Sequence, residues 1–209
     1  MEVLARHPLA HGELCISAGS VLDFGRGSGW PRESVAIVNA ANTRGLGGGG
    51  VDGAITTAGG PALAAARSAL PLLPGTRNDR IETGGAVLTG PGDFGELFAS
   101  NVIHAVGPNY NQLDGTPGQT LEDGDAKLRR AYAAAMTAAA QGGVEYVGFS
   151  LLSSGIFRGP RSLSQVLGVG LEAVSEGAYP GLREVHLTAW DQEAQTTLRQ
   201  LLIRLQRRR

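Results

Sequence analysis

Cysteine, aromatic residues and excess charge are all scarce in this chain, and each shortage removes a class of protein. Cys15 is the single cysteine, which argues against an internal disulfide framework and a Cys-based zinc site. It lies in an apolar stretch and reads as a small core residue. Phe, Trp and Tyr together make up 5% of the sequence and the formal net charge is −1. There is thus no basic field, and no interleaved set of stacking rings, to hold nucleic acid or an anionic membrane. Long apolar runs are missing as well. The opening MEVLARHPLAHG has no signal-peptide core, and no stretch is long enough to span a bilayer. The expectation is a soluble, cytoplasmic monomer of one domain, residues 1–209. The basic run Arg207, Arg208, Arg209 reads as a solvated tail.

Glycine and small apolar residues are abundant: 32 Gly, with 42% of residues hydrophobic. That glycine content without a repeat points to many loops, some of them close to a ligand. A short apolar run at residues 35–38 reads as a buried strand. Residues 3–6 and 14–17, the latter continuing toward 21–24, read as further strands. So do 83–89, 101–106, 146–152 and 184–190. Helices are expected at 51–69, broken at Gly59-Gly60-Pro61, and at 126–141, 162–176 and 192–206. Residues 109–125 read as a polar surface loop. Alternation of strands and helices with short connections gives an α/β fold with a parallel or mixed sheet. In such sheets ligands bind beyond the carboxyl ends of the strands.

The most informative stretch is residues 35–61, VAIVNAANTRGLGGGGVDGAITTAGGP. A buried strand leads into Asn39 and Asn42, then into Gly47, Gly48, Gly49 and Gly50, and then into a helix start at Asp52. Free N–H groups at a helix start, with glycines that allow close approach, suit an anion. A second loop, Ser153-Ser154-Gly155-Ile156-Phe157, also follows a strand, so each loop can cradle one phosphate of a diphosphate. No lysine follows the glycine quartet, so this is not a P-loop, and the quartet is not placed as a dinucleotide fingerprint. ATP hydrolysis and a bound nicotinamide cofactor are disfavoured, and no cofactor is expected. Asp52 reads two ways. It can complement the helix start, or it can accept from ribose hydroxyls and orient a water. Asn42 is either a structural turn residue or a reader of sugar hydroxyls. His104 in NVIHAV reads as a core histidine. The remaining histidines form no ligand-spaced cluster, so no metal site is expected. Phe157 and Trp190, both at strand ends, can stack on a base or sugar, although aromatics there are usually core.

Three ordered motifs carry a family resemblance. Asn39-Ala40-Ala41-Asn42 followed by Leu46-Gly47-Gly48-Gly49-Gly50-Val51-Asp52-Gly53-Ala54-Ile55 resembles the signature of macrodomains, the ADP-ribose-binding fold. Val102-Ile103-His104-Ala105-Val106-Gly107-Pro108 resembles that family's I-I-H-x-V-G-P strand, and Ser153-Ser154-Gly155-Ile156-Phe157 its S-T-G-I-F/Y loop. The resemblance implies a three-layer α/β/α sandwich with a mixed central sheet and an ADP-ribose cleft. In it Asn42 would contact the distal ribose, beside Ala41, and Asp52 would lie near that ribose and the attacking water. Gly48, Gly49, Gly50 and Val51 would hold one phosphate. Ser154, Gly155, Ile156 and Phe157 would hold the other, with Phe157 flanking the distal ribose; Ser153 and Trp190 are further ligand-binding candidates.

The chain departs from the pattern in four places. Gly19-Ser20-Val21-Leu22 stands where the family often has Gly-Asp-Ile-Thr, so Ser20 and Val21 face the adenine end without the acidic charge. Thr56 stands at a frequent His. Arg158 precedes Gly159-Pro160 where a Gly and an aromatic are usual, and can pair with a phosphate. Ser150-Leu151-Leu152 lacks the usual Pro. The Asn plus GGGVDG combination resembles the branch that removes mono-ADP-ribose from acidic side chains and deacetylates O-acetyl-ADP-ribose. The alternatives are a non-catalytic ADP-ribose reader and an ADP-ribose 1″-phosphate phosphatase. ADP-ribose and ADP-ribosylated proteins are the implied partners.

Overall fold

The structure is a computed structural model that describes residues 1–207; two of the three arginines of the terminal basic run lie outside the described residues. Seven strands form one sheet: β1 (Glu2–Pro8), β2 (Glu13–Ala18), β3 (Val35–Ala40), β4 (Ala86–Thr89), β5 (Asn101–Ala105), β6 (Tyr146–Phe149) and β7 (Glu184–Ala189). Their order is β1-β2-β7-β6-β3-β5-β4. The outer pairs β1–β2 and β4–β5 are antiparallel and the strands between are parallel. Four helices cover the sheet: α1 (Gly50–Ser68), α2 (Leu121–Gln141), α3 (Leu163–Glu176) and α4 (Gln192–Gln206). The expected mixed sheet in an α/β/α sandwich is what forms. Among the described residues no helix is long and apolar enough to cross a membrane.

The two faces of the sheet differ in chemistry. Side chains alternate along a strand, and the set Leu14, Ile16, Ala36, Val38, Ile103, Ala105, Val185 and Leu187 packs with α2, α3 and α4 into the larger apolar core. The opposite set combines Val35, Ile37 and Val102, under α1 and Phe24, with Cys15 and the buried polar residues Ser17, Asn39, His104, His186 and Thr188. One face is therefore an ordinary core, and the other carries nearly all the buried polar chemistry of the strands. Gly148 in β6 exists for space on that second face, because a Cβ there would run into the Phe24 ring.

Two boundaries differ from expectation. Residues 21–24 continue as a 3-10 turn, Val21–Asp23, capped by the Ser20 side chain. The segment read as a loop up to residue 125 already contains the first turn of α2. Thr120 and Asp123 make a reciprocal capping box there, which offsets the poor helix propensity of the polar stretch. The expected break at Gly59-Gly60-Pro61 is present: α1 is two helical halves meeting at a kink, with Gly60 at φ 59°, ψ −160°.

Overpacking the second face is costly. Gly148→Ala is expected to lower unfolding free energy by about 1–3 kcal/mol, read as a lower urea midpoint with an unchanged m-value.

Candidate functional site

β3 and β6 are parallel neighbours, and α1 and α3, which follow them, lie on opposite faces. That makes the gap above β3 and β6 a topological switch point, where a crevice opens at the carboxyl ends of the strands. A cleft of about 740 Å³ sits there. Its walls come from Gly19, Ser20, Val21 and Leu22 after β2, Gly49, Gly50, Val51 and Ala54 at the start of α1, and Ser153, Ser154, Gly155, Ile156 and Phe157 after β6. Trp190 and Asp191 after β7 complete it. A second hollow of about 510 Å³, between Ala140 and Arg183, lies at the opposite ends of the strands and gathers none of the motif residues.

Both loops offer backbone rather than side chains. Gly49 is the N-cap of α1 and makes no side-chain cap bond, so the first-turn N–H groups face the cleft uncapped. The second loop is held from behind. Ser153 sits in the left-handed region, φ 54°, its Oγ donating to Pro108 O at 2.7 Å. Ser154 Oγ donates to Leu151 O at 2.8 Å, and Leu152 N donates to the Tyr132 hydroxyl at 2.9 Å. A Cβ on Gly107 would collide with Ser153 Oγ, which explains why a Gly-Pro follows β5. Ile156 and Trp190 stand 91% and 79% exposed at the mouth. Among the described residues nothing covers these apolar surfaces, and Trp190 is not core.

Ser20 lines the cleft, its Oγ accepting from Leu22 N at 3.2 Å. Ala41, Asn42, Gly48, Asp52 and Arg158 are not among the lining residues. Ala41 packs with Ile81 and Val106. Arg158 ends the 3-10 turn Ile156–Arg158. Asn42 Nδ2 donates to Gly47 O at 2.9 Å and its Oδ1 accepts from Arg44 N at 3.1 Å. Asp52 is 3% exposed and does not cap α1. Its Oδ1 accepts from Arg67 Nη2 and from Asn39 Nδ2, both at 2.8 Å. Its Oδ2 has no donor among the described residues. A Cβ on Gly48 would lie 3.0 Å from Asn42 Nδ2 and 3.1 Å from Asp52 Oδ2. The bare Gly48 thus separates an amide donor from a carboxylate acceptor.

Arg67 was invisible to sequence reasoning. It looks like a basic residue in the last turn of an alanine-rich helix, yet it is fully buried. Its guanidinium also donates to Gly45 O and to Thr56 Oγ1 at 2.8 Å. The network continues into the sheet. Asn39 Nδ2 donates to His104 Nδ1 at 3.2 Å, and His104 Nε2–H donates to Thr89 Oγ1 at 3.0 Å. Thr89 in turn donates to Val102 O, which assigns the ring proton to Nε2. Burial, then the nearby Arg67 charge, pushes the His104 pKa down to about 3.

A mixed seven-stranded sheet in three layers, with two glycine-bearing loops over its switch point, is the architecture of macrodomains. The chain belongs to the Macro domain family, whose model matches residues 38–166. An O-acetyl-ADP-ribose deacetylase 1 from Pantoea vagans is 37% identical over 76% of this chain and 84% of its own length. A macro domain-containing protein from Streptomyces coelicolor is 36% identical over 76% and 86%. Among solved structures, the Oceanobacillus iheyensis macrodomain with ADP superposes with a TM-score of 0.78 at 25% identity, covering 98% of this chain and 97% of that one. The Trypanosoma brucei macrodomain in complex with ADP-ribose gives 0.68 at 26% identity, covering 90% and 68%.

Two outcomes are expected. Arg67→Met strands a buried carboxylate and costs about 3–5 kcal/mol of stability. Adding Asp52→Asn to that variant recovers part of the loss, so a double-mutant cycle in urea reports a non-zero coupling. His104 is neutral in the fold, so its folded pKa lies below the unfolded value of 6.5. The unfolded chain then binds the extra proton first. Stability is complete above pH 6.5 and falls as pH drops, by about 1.4 kcal/mol per unit once well below 6.5. Urea midpoints at pH 7, 6 and 5 should show this slope, and His104→Gln should flatten it.

Proposed function

We propose that this protein is an ADP-ribose-binding hydrolase. It removes the acetyl group from O-acetyl-ADP-ribose, mono-ADP-ribose from acidic side chains, or both, by ester hydrolysis at C1″ of ADP-ribose. The observation that carries this reading is the pair flanking Gly48. Asn42 Nδ2 offers a donor and Asp52 Oδ2 an uncommitted acceptor, one on each side of a position with no side chain. A hydroxyl or water both gives and takes a hydrogen bond, so this pairing is complementary to a sugar hydroxyl or an attacking water. Uncapped N–H groups of α1, and the backbone of residues 153–157, supply the anion-binding surface a diphosphate needs. Relatives named O-acetyl-ADP-ribose deacetylase, at 37% identity, support the same reading.

In this mechanism binding energy from the diphosphate and the aromatic rim orients the ester. Arg67 and Asn39 hold Oδ1 of Asp52, so Oδ2 sits at a fixed position beside Gly48, and the carboxylate would act by orienting a water admitted there. ADP-ribosylated proteins would dock across the exposed Ile156 and Trp190 rim.

A second reading is favoured by one observation: Asp52 is buried and committed to Arg67. On that reading the protein binds ADP-ribose without turning it over, and Asp52 only braces the glycine loop.

Asp52→Asn keeps the shape and a hydrogen-bond acceptor for Arg67 while removing the carboxylate charge, so it is assayed at a temperature where urea melts show it folded. For the hydrolase, kcat on O-acetyl-ADP-ribose is expected to fall about a hundredfold, while calorimetric affinity for ADP-ribose stays within a few-fold. Tight ADP-ribose binding by the unaltered protein, with no product released from either ester, identifies the reader instead.

A further inference from the structure

The polar face of the sheet holds a second cluster, away from the cleft. Cys15 of β2 and His186 of β7 are register partners, and Glu184 lies two residues before His186 on the same face. Cys15 Sγ is 3.8 Å from Glu184 Oε2, and that oxygen is 2.8 Å from His186 Nε2. All three donor atoms lie within 4.8 Å of one another. Cys15 and His186 are buried, at 0% and 2% exposed, and the His186 ring packs against Phe24 and Trp30. Glu184 reaches the surface with 22% of its side chain exposed.

We propose that Cys15, Glu184 and His186 form a binding site for one thiophilic divalent cation of the zinc type. Around such an ion, bonds of about 2.0–2.3 Å place neighbouring donors roughly 3.3–3.6 Å apart. The Cys15–Glu184 and Glu184–His186 separations, 3.8 and 2.8 Å, bracket that edge, and the third pair lies within 4.8 Å. The donor set is soft enough for zinc or cobalt and poor for magnesium. Thiolate, carboxylate and a divalent ion sum to zero charge, which suits a buried location.

The second histidine nitrogen is already held, with Nδ1 2.8 Å from Ser17 Oγ, as ligating imidazoles require. On loading, the imidazole proton moves from Nε2 to Nδ1 and is donated to Ser17, while the Cys15 thiol proton leaves to solvent. Two bonds to protein side chains replace the Glu184–His186 hydrogen bond, and the thiolate adds the third. The ion enters past Arg6, whose Nη1 lies 3.6 Å from Glu184 Oε1 and 2.6 Å from Glu13 Oε2. Arg6 can keep Glu13 alone. The loaded site would clamp β2 to β7, the strands whose far ends carry Ser20 and Trp190.

The test is titration of the metal-stripped full chain with Co2+, followed by displacement with Zn2+. A near-ultraviolet thiolate-to-cobalt band is expected, saturating at one equivalent, and with one cysteine in the chain it reports Cys15 directly. Glu184→Gln and His186→Gln should each weaken binding at least tenfold. Arg6→Gln alters an exposed residue, leaves every ligand in place, and should tighten binding about fivefold by removing a repelling charge. Absence of the band in the unaltered protein overturns the site. So does a band whose midpoint is moved by none of the three variants, which would be a lone thiol collecting cobalt.

Discussion

The buried ion pair between Asp52 and Arg67 ties the site to the fold. The two residues are fifteen positions apart in one helix. In a straight helix that separation is about 22 Å along the axis. They meet at 2.8 Å because α1 breaks at Gly60, whose φ of 59° is available to glycine and strained for most other residues. The second half of α1 folds back, and Arg67 enters the protein beneath the glycine loop. From there it holds Gly45 O, Thr56 and Asp52 together. A buried pair of this kind adds little net stability over an apolar substitute. Its effect is to fix geometry, since neither partner tolerates the other's removal.

That geometry extends through the sheet. Asp52, Asn39, His104 and Thr89 form one hydrogen-bonded line crossing β3, β5 and β4. The neutral His104 fits because each of its nitrogens has one partner of the opposite character. A second imidazole proton would meet the Asn39 amide donor. The line lies on the face covered by α1, while the opposite face is apolar and covered by three helices. One face supplies folding energy by area burial. The other, freed from that task, can hold polar groups in place at the cost of making every partner count.

Much of this was readable from the chain because local rules and the global arrangement agree. Residues 35–38 and 146–149 are apolar runs and became central strands. Ser162 with Gln165 began a helix as a capping box should. Both phosphate-type loops were legible as glycine-bearing segments after strands. The start of α2 was not, since Glu122, Asp123 and Asp125 look like loop, and only the Thr120–Asp123 cap turns them helical. Arg67 was hidden for a different reason: its burial depends on a kink that reverses direction, which no periodicity encodes. Thr56 in place of the family's frequent His was the one visible trace, and it is the residue that receives Arg67 Nη1. The Cys15–Glu184–His186 cluster was hidden by separation, being 169 residues apart in sequence and adjacent only through the β2–β7 register.

The same constraint bears on how the proposed hydrolysis would work. A mobile carboxylate can swing to collect a proton, whereas Asp52 is held by an arginine, an asparagine and the closed packing around it. Such a group contributes by direction. Its one uncommitted oxygen points toward the gap at Gly48, where Asn42 offers the complementary donor. Orientation of water between fixed partners requires no reorganisation during reaction, which is the property that makes preorganised polar groups effective in closed sites. The rate contribution of Asp52 should then depend on Arg67 as strictly as its position does. In the proposed reaction the arginine, remote from the cleft, would be a positioning residue for chemistry it never touches.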